Sequence, residues 1–178
     1  ALGYTVEFMK EEGIFRRYGE QGITEYDTGS TGKAIISDDT QMTLFTANGL
    51  LVGDTREAMS GDRAWPRVYV TKAYLDWLMT QESSMRQVNR HERNTEEGGY
   101  SWLLDVPELY SRRAPGNTCL SALEQEEAGI SYEDYIEAKR NNSKGCGGIM
   151  RVAPIAVNYR TDMERLDLEG AQLAAITH

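Results

Sequence analysis

The segment Ser37-Asp38-Asp39-Thr40-Gln41-Met42-Thr43 places two adjacent carboxylates among hydroxyls, immediately ahead of a run with helical periodicity. Carboxylate and hydroxyl oxygens are the donors that hard cations such as Mg²⁺ and Mn²⁺ prefer. A cation between neighbouring acids would also relieve their repulsion. Consecutive side chains at a helix start diverge by about 100°, so Asp38 and Asp39 could serve two neighbouring ions. A second reading needs no ligand. Ser and Asp are favoured N-caps, and acids in the first turn complement the helix dipole. Spacing alone leaves both readings open.

A second segment, Ser143-Lys144-Gly145-Cys146-Gly147-Gly148, leads straight into another helical run. Successive backbone N–H groups in such a stretch can cradle phosphate oxygens without side-chain charge. For a bare glycine cluster, a tight interhelical turn is the simpler reading. The pattern is neither a Walker loop nor a dinucleotide fingerprint, because no preceding strand and no downstream ribose-binding acid are readable. Cys146 invites a nucleophile reading, but neither His91 nor His178 is near it in sequence. His91 lies in a charged stretch and is expected to face solvent. By itself Glu7 reads as an ordinary surface acid.

The elements that must position these residues are helical. Met42, Phe45, Gly49 and Val52 recur at helical spacing and predict a helix over 41–52. Pro66 suits the first turn of a second helix, whose buried stripe would be Val70, Ala73, Tyr74, Trp77 and Leu78. Ser131 and Asp134 resemble a capping box opening a short helix through Tyr135, Ile136 and Ala138. A further helix is expected over Cys146–Tyr159, kinked or broken at Pro154, and a last one over about 166–176. Residues 11–33 carry five glycines and predict a long loop, with a short hairpin at Ile23–Tyr26. Residues 82–100 are charged, with hardly any apolar side chains, and predict a solvated loop. The expected fold class is all-α: a compact multi-helix orthogonal bundle with long loops, which in a compact protein are seldom idle spacers.

Composition narrows the function classes. The 178 residues carry a net charge of −9, which repels phosphate overall and speaks against a nucleic-acid partner. A phosphorylated ligand would have to be held by local backbone N–H groups or bound cations. Hydrophobic residues make up 40% and charged residues 26%, an ordinary globular balance. No run approaches the 18 or so apolar residues of a membrane span, and Ala1–Lys10 lacks the features of a signal peptide. Two cysteines, Cys119 and Cys146, form neither a disulfide framework nor a zinc pattern, so reduced thiols and a cytoplasmic location are expected.

Taken with four other segments, Ser37–Leu51 resembles the metal-binding signature of the ADP-ribosylglycohydrolase family, Ser/Thr-Asp-Asp-Thr-x-Met at the head of a helix. Ala1–Phe8 resembles the tail of that family's N-terminal Gly-Asp-x-Leu-Gly…Glu motif. Arg113–Glu124 resembles its Pro-Gly-Asn-Thr loop and following helix. Asn141–Val157 resembles its glycine-rich substrate loop, and Ile176-Thr177-His178 the start of its Thr-His motif. The order of the segments matches as well. The resemblance implies an all-α fold and a two-metal site filled by Mg²⁺, with Mn²⁺ as the substitute. The reaction it implies is hydrolysis of the bond joining ADP-ribose to an acceptor, either a protein side chain or a small molecule. Carried over by position, it implies Ser37, Asp38 and Asp39 as metal ligands and Glu7 as the acid that activates water or assists the leaving group. Ser143, Lys144, Gly145, Cys146, Gly147 and His178 become substrate-binding residues. It further implies that residues 1–178 form a single, incomplete domain without the distal Asp-x-Asp-Thr motif, so that this polypeptide alone would be a poor catalyst. The competing expectation is a non-catalytic ADP-ribose or nucleotide-binding module, or a pseudoenzyme.

Overall fold

The structure is a computed structural model that describes residues 2–62, 65–88, 101–127 and 141–178. Among the described residues there is no strand, and seven α-helices and three short 3-10 turns carry the fold. Helix α1 is Glu11–Tyr18, α2 Asp38–Ser60, α3 Pro66–Glu82, α4 Asn117–Glu127, α5 Gly147–Met150, α6 Pro154–Asn158 and α7 Met163–Ala174. The chain is all-α, as its periodicity predicts. No helix among the described residues is long and apolar enough to cross a membrane.

Helices α2 and α3 form the central pair, and α4, α5, α6 and α7 pack around it. The inward stripe of α3 is the one that spacing predicts: Val70, Ala73, Tyr74, Trp77 and Leu78 are all buried. Burying each large side chain contributes on the order of 1.5–3 kcal/mol before entropy is counted. The two helices meet most closely at Gly49. A Cβ there would lie 2.7 Å from Val70 Cα and 2.9 Å from the Tyr69 carbonyl oxygen, so only glycine lets the backbones approach. The buried face of α2 is mixed, with Gln41, Thr46 and Asn48 beside Met42, Phe45 and Leu50. Gln41 spends both ends of its amide. Its Nε2 donates to the carbonyls of Ser111 (3.0 Å) and Leu109 (3.4 Å), while its Oε1 accepts from Trp77 Nε1 at 3.2 Å. The segment 109–111 is thereby pinned to the start of α2.

Two expectations are corrected and a third is borne out. Residues 11–18 are helical rather than loop: Glu11 and Glu12 occupy the first turn and Arg16 and Arg17 the last, which suits the dipole, and Gly19 ends the helix at φ +87°. The hairpin at 23–26 is absent. That stretch is instead anchored by Asp27, which accepts hydrogen bonds from Arg17 Nη2 (2.8 Å) and Tyr18 Oη (2.7 Å) on α1. The segment 146–159 is broken at Pro154, as expected, into two short helices. Pro154 opens α6, because a proline inside a continuous helix would lose a backbone bond and clash with the preceding turn. The break at residues 151–153 leaves Arg151 fully buried. Helix α2 extends to Ser60, beyond its predicted end, and α7 starts earlier than expected, capped by Asp162, whose side chain accepts from the Arg165 N–H. The predicted helix after Ser131, most of the charged loop and His91 lie outside the described residues.

Candidate functional site

At the start of α2 the backbone of Ser37 takes the extended cap conformation (φ −79°, ψ 172°), yet its hydroxyl makes no capping bond. The helix start is held from another direction. The Asp38 N–H donates to the Arg113 carbonyl at 3.1 Å, within a loop that turns on Ala114, the one non-glycine among the described residues with positive φ (57°). The Ser37 oxygen is therefore not committed to the helix, contrary to the capping reading of that residue.

Asp38 is buried and its carboxyl is pushed up to about 6. Burial is the main cause. Repulsion from Asp39 and Glu7 adds to it, and the Asp39 and Gly116 backbone N–H groups pull the other way. Burial also raises the Asp39 carboxyl, while the Arg151 guanidinium partly offsets that rise. Glu7 is exposed, directly after the 3-10 turn Tyr4–Val6, and lies close enough for its charge to act on Asp38. The fold thus brings Glu7, Asp38 and Asp39 into one acidic neighbourhood with the Ser37 hydroxyl beside it. Among the described residues, no group of three or more His, Cys, Asp and Glu side chains converges tightly enough to hold a metal ion. The donor chemistry suits a hard cation, and the described set is partial.

Beside Asp39 lies a group that sequence reasoning did not single out. Arg151 is completely buried and donates from all three nitrogens. Its Nε donates to Tyr74 Oη (3.0 Å), and its Nη1 to the Gly147 carbonyl (3.2 Å), Cys119 Sγ (3.2 Å) and Met42 Sδ (3.6 Å). Its Nη2 donates to Thr177 Oγ1. The guanidinium also sits over the Tyr74 ring, 4.8 Å from its centroid, a favourable placement for a cation. Asp39 and His178 both feel this charge. Burial, with Arg151 adding to it, holds the His178 imidazole below its usual value.

The glycine-bearing segment folds against His178. A Cβ on Gly145 would stand 3.3 Å from His178 Nε2, and one on Gly147 3.2 Å from Cε1, so side chains at these positions would crowd the ring. Gly148 is tighter still, 2.9 Å from the Ala174 carbonyl oxygen of α7. Ser143 Oγ accepts from the Gly145 N–H (3.1 Å) and from Thr118 Oγ1 (3.3 Å). Asn141 Nδ2 reaches the Thr177 carbonyl at 2.9 Å. Ser143, Gly145, Gly147 and His178 therefore come together, whereas Lys144 and Cys146 are exposed at the rim. Arg151, Thr177, Thr118 and Asn141 complete the arrangement. Their signal was membership of the segments that carry the family resemblance, and no local pattern distinguished them.

The family model described as ADP-ribosylglycohydrolase matches residues 1–178, the whole chain. No curated protein and no solved structure matches it.

Proposed function

The chain belongs to the ADP-ribosylglycohydrolase family, and on that premise we propose that it hydrolyses the glycosidic bond between ADP-ribose and an acceptor, a protein side chain or a small molecule, with Mg²⁺ or Mn²⁺ as cofactor. The observation that carries this reading is the acidic neighbourhood of Glu7, Asp38 and Asp39 at the start of α2, where burial and repulsion from the other two raise the Asp38 carboxyl to about 6. A buried acid beside a second, partly buried one is costly unless something neutralises them, and a site with such raised values is a functional candidate on physical grounds. Ser37, Asp38 and Asp39 would hold the cation through one hydroxyl and two carboxylates. Bound there, a divalent cation supplies the positive charge that lowers the pKa of a coordinated water and orients hydroxyl groups of the substrate.

The remaining work falls to the chain itself. Glu7, exposed near Asp38 and Asp39, would move a proton between the attacking water and the leaving group, as carboxylates do in glycoside hydrolysis. The Gly145–Gly147 backbone, with Ser143 and His178, would bind the ADP-ribose end, with Lys144 and Cys146 at the rim. Two free thiols, Cys119 buried and Cys146 exposed, accord with a reducing, cytoplasmic setting.

The other reading is an ADP-ribose-binding module without turnover. Release of ADP-ribose from an ADP-ribosylated substrate, followed against added Mg²⁺ and after exhaustive EDTA dialysis, separates the two. Release that rises with Mg²⁺ and vanishes with EDTA supports the hydrolase. Calorimetric binding of ADP-ribose without release under any metal supports the module, and full release after EDTA removes the metal from the proposal.

A further inference from the structure

Hydrogen-bond directions around Arg151 are fixed by valence. An arginine side chain has five N–H donors and no acceptor, so each of its partners must accept. Tyr74, accepting from Arg151 Nε, has its own hydrogen free for Thr46 Oγ1 at 2.6 Å, and Thr46 donates in turn to the Met42 carbonyl at 2.9 Å. On the other side Thr177 Oγ1 accepts from Arg151 Nη2, and Cys119 Sγ stands 3.9 Å from the same oxygen on its donating side. A hydroxyl oxygen can accept twice, and with Arg151 and Cys119 both placed to donate to it the Thr177 hydrogen is what remains to bridge to His178 Nδ1, 2.8 Å away. A ring nitrogen that accepts carries no proton, so the neutral ring must carry it on Nε2. That nitrogen faces Gly145, with the glycine backbone near enough that a Cβ would lie 3.3 Å away.

We propose that Arg151 and Thr177 are positioning residues that fix His178 as a neutral imidazole with its proton on Nε2, presenting one N–H donor to the glycine-bearing loop. The relay is built into the core: Arg151 and Thr177 are both fully buried. Its use to the protein rests on the reading above, in which that loop receives the oxygen-rich ADP-ribose end of the substrate. A ring locked in this tautomer offers a donor to a phosphate or ribose oxygen, whereas the opposite tautomer would turn a lone pair towards it.

The chain has two histidines, His91 and His178, which makes the test direct. Long-range ¹H–¹⁵N correlation spectra of the uniformly labelled protein, with His91→Gln for assignment, report which ring nitrogen of His178 is protonated. The expected spectrum is a single Nε2–H tautomer, with Nδ1 shifted as a hydrogen-bond acceptor. Thr177→Val should move the Nδ1 resonance towards that of an unbonded acceptor, and Thr177→Ser should restore it. The wild-type spectrum decides the matter even if the valine variant folds poorly. A proton on Nδ1 in the wild type would mean that Thr177 accepts from the ring and donates to Cys119, and the proposal falls. It falls equally if a folded Thr177→Val protein gives an unchanged Nδ1 resonance. Calorimetry with ADP-ribose is the second arm, where Thr177→Val should weaken binding about tenfold, the worth of one neutral hydrogen bond, and Thr177→Ser should recover it. If the spectra are as expected and the wild type does not bind ADP-ribose, the relay stands and the functional reading fails.

Discussion

The carboxyl of Asp38 carries an energetic conflict in the folded chain. Its value of about 6 lies above the ordinary 3.8, so folding favours the protonated form. Stability contributed by this group is therefore fullest below about pH 4, falls as pH rises towards 6, and stays lost above that. Without metal, Asp38→Asn should raise the melting temperature by a few degrees above about pH 7 and change it little near pH 4, as scanning fluorimetry would show. The same substitution should abolish turnover. For Glu7→Gln the expectation is opposite in kind: turnover falls about 10²–10⁴-fold while ADP-ribose affinity, measured by calorimetry, holds. A variant that binds poorly yet turns over normally at saturation would make Glu7 a binding residue. Asp38 and Asp39 were legible in the sequence because they are contiguous and open a helix. Arg151 was not, because it is defined by partners remote in sequence: Met42, Tyr74, Cys119 and Thr177 stand 109, 77, 32 and 26 positions away.

At the scale of elements, the α2–α3 pair depends on one missing side chain. Gly49→Ala would drive a methyl against Val70 Cα and the Tyr69 carbonyl, both backbone, so the helices must separate rather than a side chain step aside. The expected cost is about 1–3 kcal/mol, read as a lower denaturation midpoint in urea. The face of α3 could be read from spacing alone because its inward residues are mostly apolar. Helix α2 was harder to delimit, since it buries Asp38, Gln41 and Asn48 and has no buried residue between Gly53 and its end at Ser60. Helix α1 is short, buries no residue and contains Gly13, and that glycine pointed to a loop. The break before α6 was foreseeable at Pro154, but not the inward turn of Arg151.

At the scale of the whole molecule, binding of a cation to the folded state alone stabilises it by mass action, by about 2.7 kcal/mol at one hundred times the dissociation constant. Added Mg²⁺ or Mn²⁺ should therefore raise the melting temperature, and EDTA should reverse the rise. An absent shift in Asp39→Ala beside a clear one in the wild type would locate the ion. The Arg151 centre has a kinetic consequence. Its charge leaves water favourably only when groups from α2, α3, α4, α5 and the Thr177 turn have already gathered, and closing loops of that length costs entropy before any bond returns it. The centre should therefore assemble after the transition state of folding. Tyr74→Phe, which removes one acceptor, should leave the refolding limb of the chevron nearly unchanged and lift the unfolding limb, so that its destabilisation is read almost wholly in how fast the protein comes apart.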